Sequence, residues 1–92
     1  NKNNIIVAYE PIWSIGTGKI PTEHELKSTT IYIKKILKNI FRKNSPAVLY
    51  GGSVDGSNVR MFKQIKEIDG FLIGGASKSS KKFIDIIRNY YR

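Results

Sequence analysis

The sequence predicts an α/β fold in which three parallel strands alternate with helices, and three observations carry that expectation. Short, uninterrupted apolar runs recur at residues 5–9, 47–50 and 70–73. Each run is followed by a loop containing glycine, and a stretch with helical apolar spacing follows each loop. Alternation of this kind builds a parallel sheet with right-handed crossovers.

The first run, Ile5, Ile6, Val7, Ala8 and Tyr9, is β-branched and aromatic with no polar residue, the pattern of a strand buried on both faces. It stops at Glu10, because Pro11 has no N–H for a sheet ladder and holds the residue before it in extended geometry. Residues 11–21 then read as loop, although Trp13 and Ile15 within it are costly to leave in water. Thr22 and Glu25 form a capping box, and Leu26, Ile33, Ile36, Leu37 and Ile40 fall on one stripe, so residues 23–43 are expected to be helical. Asn44, Ser45 and Pro46 end that helix. Strand 47–50 follows, then the loop in "YGGSVDGSN" and a shorter helix, 59–66, that offers Met61, Phe62 and Ile65 to the core. Strand 70–73 leads into the loop "GGASKSS". The closing helix runs to the C-terminus with Phe83, Ile84, Ile86 and Ile87 on its inner face.

A chain of 92 residues has room for one small domain with a modest core, burying about 60–65% of its unfolded surface. The absence of cysteine fits a reducing compartment and leaves no thiol for a disulfide or metal site. No apolar stretch approaches the roughly 18 residues of a membrane span, and no signal-peptide pattern precedes the first strand, so a soluble cytoplasmic protein is expected. The chain begins with Asn and its only methionine is Met61, which reads as a piece of something longer. Net charge is +9, and Lys27, Lys34, Lys35, Lys38, Arg42 and Lys43 meet no acid between Glu25 and Asp55. That stretch could be a nucleic-acid surface, yet no nucleic-acid motif appears. Fifteen isoleucines and seven asparagines beside twelve lysines point instead to a compositional drift of the whole chain.

Parallel α/β sheets bind ligands at the carboxyl ends of their strands, where the loop after Glu10 and the loops "GGSV" and "GGAS" gather. Taken singly, each glycine pair is a tight turn and Glu10 a solvated carboxylate. Three such loops opening on one edge beside a carboxylate point to a phosphorylated small molecule, because glycine lets backbone amides approach a ligand and helix N-termini attract anions.

In this order and spacing, "AYEPIWSIGTGK", "YGGSV" and "DGFLIGGAS" resemble the last three strand-helix units of the triosephosphate isomerase family, and the likeness runs from Ile5 over nearly the whole chain. The resemblance implies a partial TIM (β/α)8 barrel, with residues 1–92 as the C-terminal part of a single barrel domain. Glu10 then matches the catalytic base that shuttles a proton between adjacent carbons of dihydroxyacetone phosphate and glyceraldehyde 3-phosphate, in the family that is the type case of the barrel. A positioned carboxylate whose basicity rises as water is excluded contributes roughly 10²–10⁴-fold to such a transfer. Pro11, Ile12, Trp13, Ser14, Ile15, Gly16, Thr17, Gly18, Lys19, Ile20 and Pro21 match the closing lid, with Pro11 and Trp13 in its first hinge, 15–18 at its tip and 19–21 as its second hinge. Backbone amides of Gly16, Ser53, Gly74 and Gly75 match the phosphate cradle, a short helical turn from Gly75 aiming its positive end at the phosphate. Tyr50 and Ser53 match the lid latch. The resemblance implies no cofactor, metal, nucleic acid or membrane. It implies a cytoplasmic enzyme of glycolysis and gluconeogenesis, a homodimer when complete, whose N-terminal barrel remainder is supplied in cis or in trans.

The departures are specific. The family's asparagine and lysine after its first strand and its histidine after the fourth have no match here, and His24 reads as an exposed polar residue just past the lid. A barrel of this type takes about 250 residues, so the chain corresponds to its last three-eighths and is expected to be inactive alone. Lys78 stands where leucine is usual, which questions the packing below the phosphate turn. Lys34 replaces an arginine that faces Asp69, predicting a single contact in place of a bidentate pair. Ser14 replaces a usual alanine, with little effect expected. Pro21 lacks the N–H that the latch tyrosine normally bonds, so Tyr50 is expected to turn to water or another group while Ser53 keeps the Gly18 amide. The alternatives are a non-catalytic remnant of the family or a small basic module binding nucleic acid or another anionic surface.

Overall fold

The structure is a computed structural model and describes residues 4–92. Strands β1 (Ile6–Tyr9), β2 (Ala47–Tyr50) and β3 (Gly70–Phe71) alternate with helices α1 (Glu23–Phe41), α2 (Val59–Lys63) and α3 (Ser80–Tyr90). The sheet has the order β1-β2-β3 and both pairings are parallel, with Ile6 opposite Ala47, Tyr9 opposite Tyr50, and Tyr50 opposite Phe71. Three parallel strands alternating with helices are the expected partial α/β barrel arrangement.

Register explains the burial. Val7, Tyr9, Val48 and Tyr50 project to the face covered by helices, where Tyr50, Leu26, Val54, Val59, Phe62, Ile65 and Ile86 form the core. Tyr50, Phe62, Phe71 and Tyr90 run through it as successive aromatic contacts, with ring centroids 4.8, 6.2 and 5.9 Å apart. Ile6, Ala8, Ala47 and Leu49 project to the opposite face, which no helix among the described residues covers. The expectation that the first strand is buried on both faces is therefore corrected: Ile6 is 68% exposed, because β1 is an edge strand with one bare face.

The elements are shorter than the sequence suggests. The α1 helix has its capping box, Thr22 accepting from the Glu25 N–H at 3.1 Å and Glu25 accepting from the Thr22 N–H at 3.0 Å. It ends at Phe41 and not at residue 43, since Arg42 and Asn44 turn to positive φ. Of its stripe, Leu26 is buried but Ile36 and Ile40 are exposed. Likewise α2 stops at Lys63, although Ile65 beyond it is buried; β3 keeps two residues; and α3 ends at Tyr90 with only Ile86 of its inner face fully buried.

Between α1 and β3, the Lys34 ammonium lies 3.1 Å from Asp69 Oδ2, the single contact expected of lysine at that position. The same oxygen accepts the Val48 N–H at 2.8 Å, so the pair fastens α1 to the start of β2. Among the described residues no helix is long and apolar enough to cross a membrane.

Candidate active site

Glu10 follows β1 directly and its carboxylate is exposed to solvent. A Cβ at Gly51 would lie 2.9 Å from Glu10 Cγ, so the absence of a side chain at position 51 is what lets the glutamate lie across the end of β2. Its neighbour Gly52 is equally constrained: a Cβ there would overlap the Tyr50 hydroxyl and sit 2.6 Å from Ser14 Oγ. The first glycine pair thus makes room for side chains, whereas the sequence suggested room for a ligand. A Cβ on Gly74 or Gly75 would meet nothing within 4 Å, so this second pair does leave open space.

A cleft of about 1010 Å³ opens at the carboxyl ends of the three strands, lined by Glu10, Gly16, Ser53, Gly74 and Gly75 among others. The elements that bring them together are the three strand-to-loop exits. Gly75–Lys78 forms one 3₁₀ turn, held by Ser77 N–H to the Gly74 carbonyl at 2.9 Å, with Ala76 packed on the core. Lys78, the last residue of that turn, lines the cleft. His24 stays exposed in the first turn of α1.

Residues 11–21 fold over one side of the cleft. Pro11 and Pro21 are buried at its two ends, and Ile12–Ser14 forms a 3₁₀ turn. Gly16 and Gly18 take φ of +67° and +78°, a left-handed backbone that glycine adopts freely, and Thr17 Oγ1 donates to the Trp13 carbonyl at 2.7 Å. Most side chains here find little cover: Ile12 is 86% exposed, and Trp13 and Ile15 are about half exposed. The Gly18 N–H donates to Ser53 Oγ at 3.0 Å, as expected. The Tyr50 hydroxyl does find another group, and it is Ser14 Oγ at 2.8 Å. Burial pushes the Tyr50 phenol above its ordinary range, partly opposed by the bond to Ser14, so it stays protonated at neutral pH.

The expectation of little effect from Ser14 is therefore wrong. It is wholly buried and also donates to the Lys19 carbonyl at 2.6 Å. A hydroxyl gained at position 14 and an N–H lost at Pro21 are connected only through the fold, which brings Tyr50 to Ser14.

The fold and cleft define a parallel (β/α) protein with a ligand-sized opening at the strand ends. The family model described as triosephosphate isomerase matches residues 1–90. The chain is 39% identical over 92 residues to the triosephosphate isomerase of Chlamydia abortus, covering 97% of this chain and 36% of that protein. It is 44% identical over 91 residues to that of Dehalococcoides mccartyi, covering 96% and 36%, and 46% identical over 88 residues to that of Amoebophilus asiaticus, covering 92% and 35%. The chain belongs to the triosephosphate isomerase family. It spans little more than a third of the length of these curated relatives.

Proposed function

We propose that these residues form the C-terminal part of a barrel and supply the base, lid and phosphate-binding wall of a triose-phosphate isomerase. The observation that carries this reading is the placement of the Glu10 carboxylate and the Gly74–Gly75 turn on one cleft at the strand ends. On this reading the open backbone of Gly74 and Gly75, with the amides of Gly16 and Ser53, receives the substrate phosphate. Glu10 takes a proton from the terminal hydroxylated carbon of dihydroxyacetone phosphate, leaving an enediolate, and returns it to the neighbouring carbon. The hydroxyl proton passes from the terminal oxygen to the neighbouring oxygen through groups outside this sequence, to give glyceraldehyde 3-phosphate. The groups that stabilise the enediolate oxygens come from barrel residues outside this sequence. Stabilisation of that kind is usually the largest single catalytic contribution, so the chain alone has no measurable turnover.

The test is to mix the chain with a separately made fragment holding the first five strand-helix units and assay glyceraldehyde 3-phosphate isomerisation. Turnover that appears only on mixing and vanishes with Glu10→Gln supports the proposal. Turnover by the chain alone would refute the division of labour, and a folded but silent mixture would favour a non-catalytic remnant. Of the basic stretch, Lys34 pairs with Asp69 while Lys27, Lys35, Lys38, Arg42 and Lys43 are exposed, so salt-dependent binding to unrelated nucleic acid would favour the basic-module alternative.

A further inference from the structure

A serine hydroxyl has one proton to give and can accept two, and Ser14 uses all three. It donates to the Lys19 carbonyl at 2.6 Å, so the proton in its 2.8 Å contact with Tyr50 belongs to the phenol. The Ser53 N–H approaches the same oxygen at 3.4 Å. The Ser14 carbonyl in turn accepts the Ser53 hydroxyl at 2.6 Å, and Ser53 Oγ accepts the Gly18 N–H. One buried hydroxyl thus joins the start of the 11–21 segment, its end, the last residue of β2 and the loop after β2. Apolar packing does not replace it, since the large side chains at the segment's first half are exposed.

We propose that Ser14 is a positioning residue that holds the 11–21 segment down over the cleft through the chain Tyr50 O–H to Ser14 O–H to Lys19 C=O. The proposal rests on the reading of that segment as a lid for its functional meaning, though not for its geometry. Pro21 has no N–H to offer Tyr50, and the Ser14 oxygen takes up the phenolic proton. Gly52 is the space in which the two hydroxyls meet. Removing either member strands the other: Ser14→Ala leaves a buried phenol without its acceptor, and Tyr50→Phe leaves the serine with one acceptor site unused.

The test is amide hydrogen exchange by NMR on the 92-residue chain, its Ser14→Ala and Tyr50→Phe variants and the double variant. The probe is the Gly18 N–H, with the Gly51 and Leu72 amides, bonded to Tyr9 and Tyr50 carbonyls, as controls. Each single variant is expected to speed Gly18 exchange about tenfold with the controls unchanged, the loss of one hydrogen bond's net contribution. The double variant is expected to match either single, because both changes cut the same chain. Emission from Trp13, the only tryptophan, should shift with them. Free exchange at Gly18 in the parent chain, an unchanged rate in Ser14→Ala, effects that multiply in the double variant, or equal loss at the controls would each overturn the proposal. Isomerase activity is not read here. A silent fragment mixture therefore counts against the proposed reaction alone, and an unaltered Gly18 against the Ser14 chain alone.

Discussion

Lys34 reaches one oxygen of Asp69 where a planar guanidinium would reach two. Asp69 Oδ2 already serves both the lysine and the Val48 N–H, so Lys34→Arg adds a second, charge-assisted bond to Oδ1. The expected gain is about 1 kcal/mol, since the pair is partly exposed, and urea unfolding of the two chains would measure it; no gain would mean that the second oxygen cannot be engaged. This contact was legible in the sequence because two charges of opposite sign occupied positions matching a known pair. Glu10 was legible for a different reason: Pro11 fixes where β1 must end, and strand ends are where loops converge. Ser14 was not legible. A serine for alanine exchange looks neutral until one knows that the side chain is buried and that a phenol points at it, and burial depends on residues 36 and 39 positions away.

Helix α1 was read correctly at its start because capping is local chemistry, carried by Thr22 and Glu25 three residues apart. Its end was misplaced because backbone reversal at Arg42 and Asn44 has no glycine to announce it. The same cap carries a pH dependence. Hydrogen bonds from the Thr22 backbone and hydroxyl lower the Glu25 carboxyl below its ordinary 4.5. A carboxylate whose folded pKa is depressed contributes stability that is present above the unfolded value and is lost as pH falls through the folded one. Thr22→Ala is therefore expected to destabilise the fold by about 1 kcal/mol at neutral pH. It should also flatten in part the fall in stability just below pH 4.5, because the hydroxyl is lost while the backbone N–H of residue 22, the larger cause of the shift, stays. Thermal melts of both chains from pH 3 to pH 7 would check this. Parallel acid limbs, with the same separation at every pH, would mean that the Thr22 hydroxyl adds nothing to the Glu25 shift, since the backbone N–H is kept in both chains. Strand β3 and helices α2 and α3 show the opposite case. Their apolar residues were identified from spacing, but their lengths depend on packing partners that spacing cannot reveal.

Among the described residues the sheet ends on both sides in an unpaired strand, and no helix covers its face bearing Ile6, Ala8, Ala47 and Leu49. In a closed barrel those side chains fill the interior; here Ile6 is largely open to solvent and Leu72 of β3's exit about half open. Nothing in the chain's +9 charge guards β1, whose four residues carry no charge at all. Strand edges of this kind pair with whatever extended chain is available. The 92-residue chain is therefore expected to self-associate as its concentration rises, and sedimentation velocity would show the shift toward larger species. Ile6→Lys should weaken that association by placing a charge on the bare face of the edge strand, without touching the core under the other face. The fragment holding the first five units should also suppress it, because strands that complete the barrel compete for the same two edges. A chain that stays monomeric at every concentration, or that associates equally well with Lys at position 6, would show that the bare face and the β1 edge do not drive assembly.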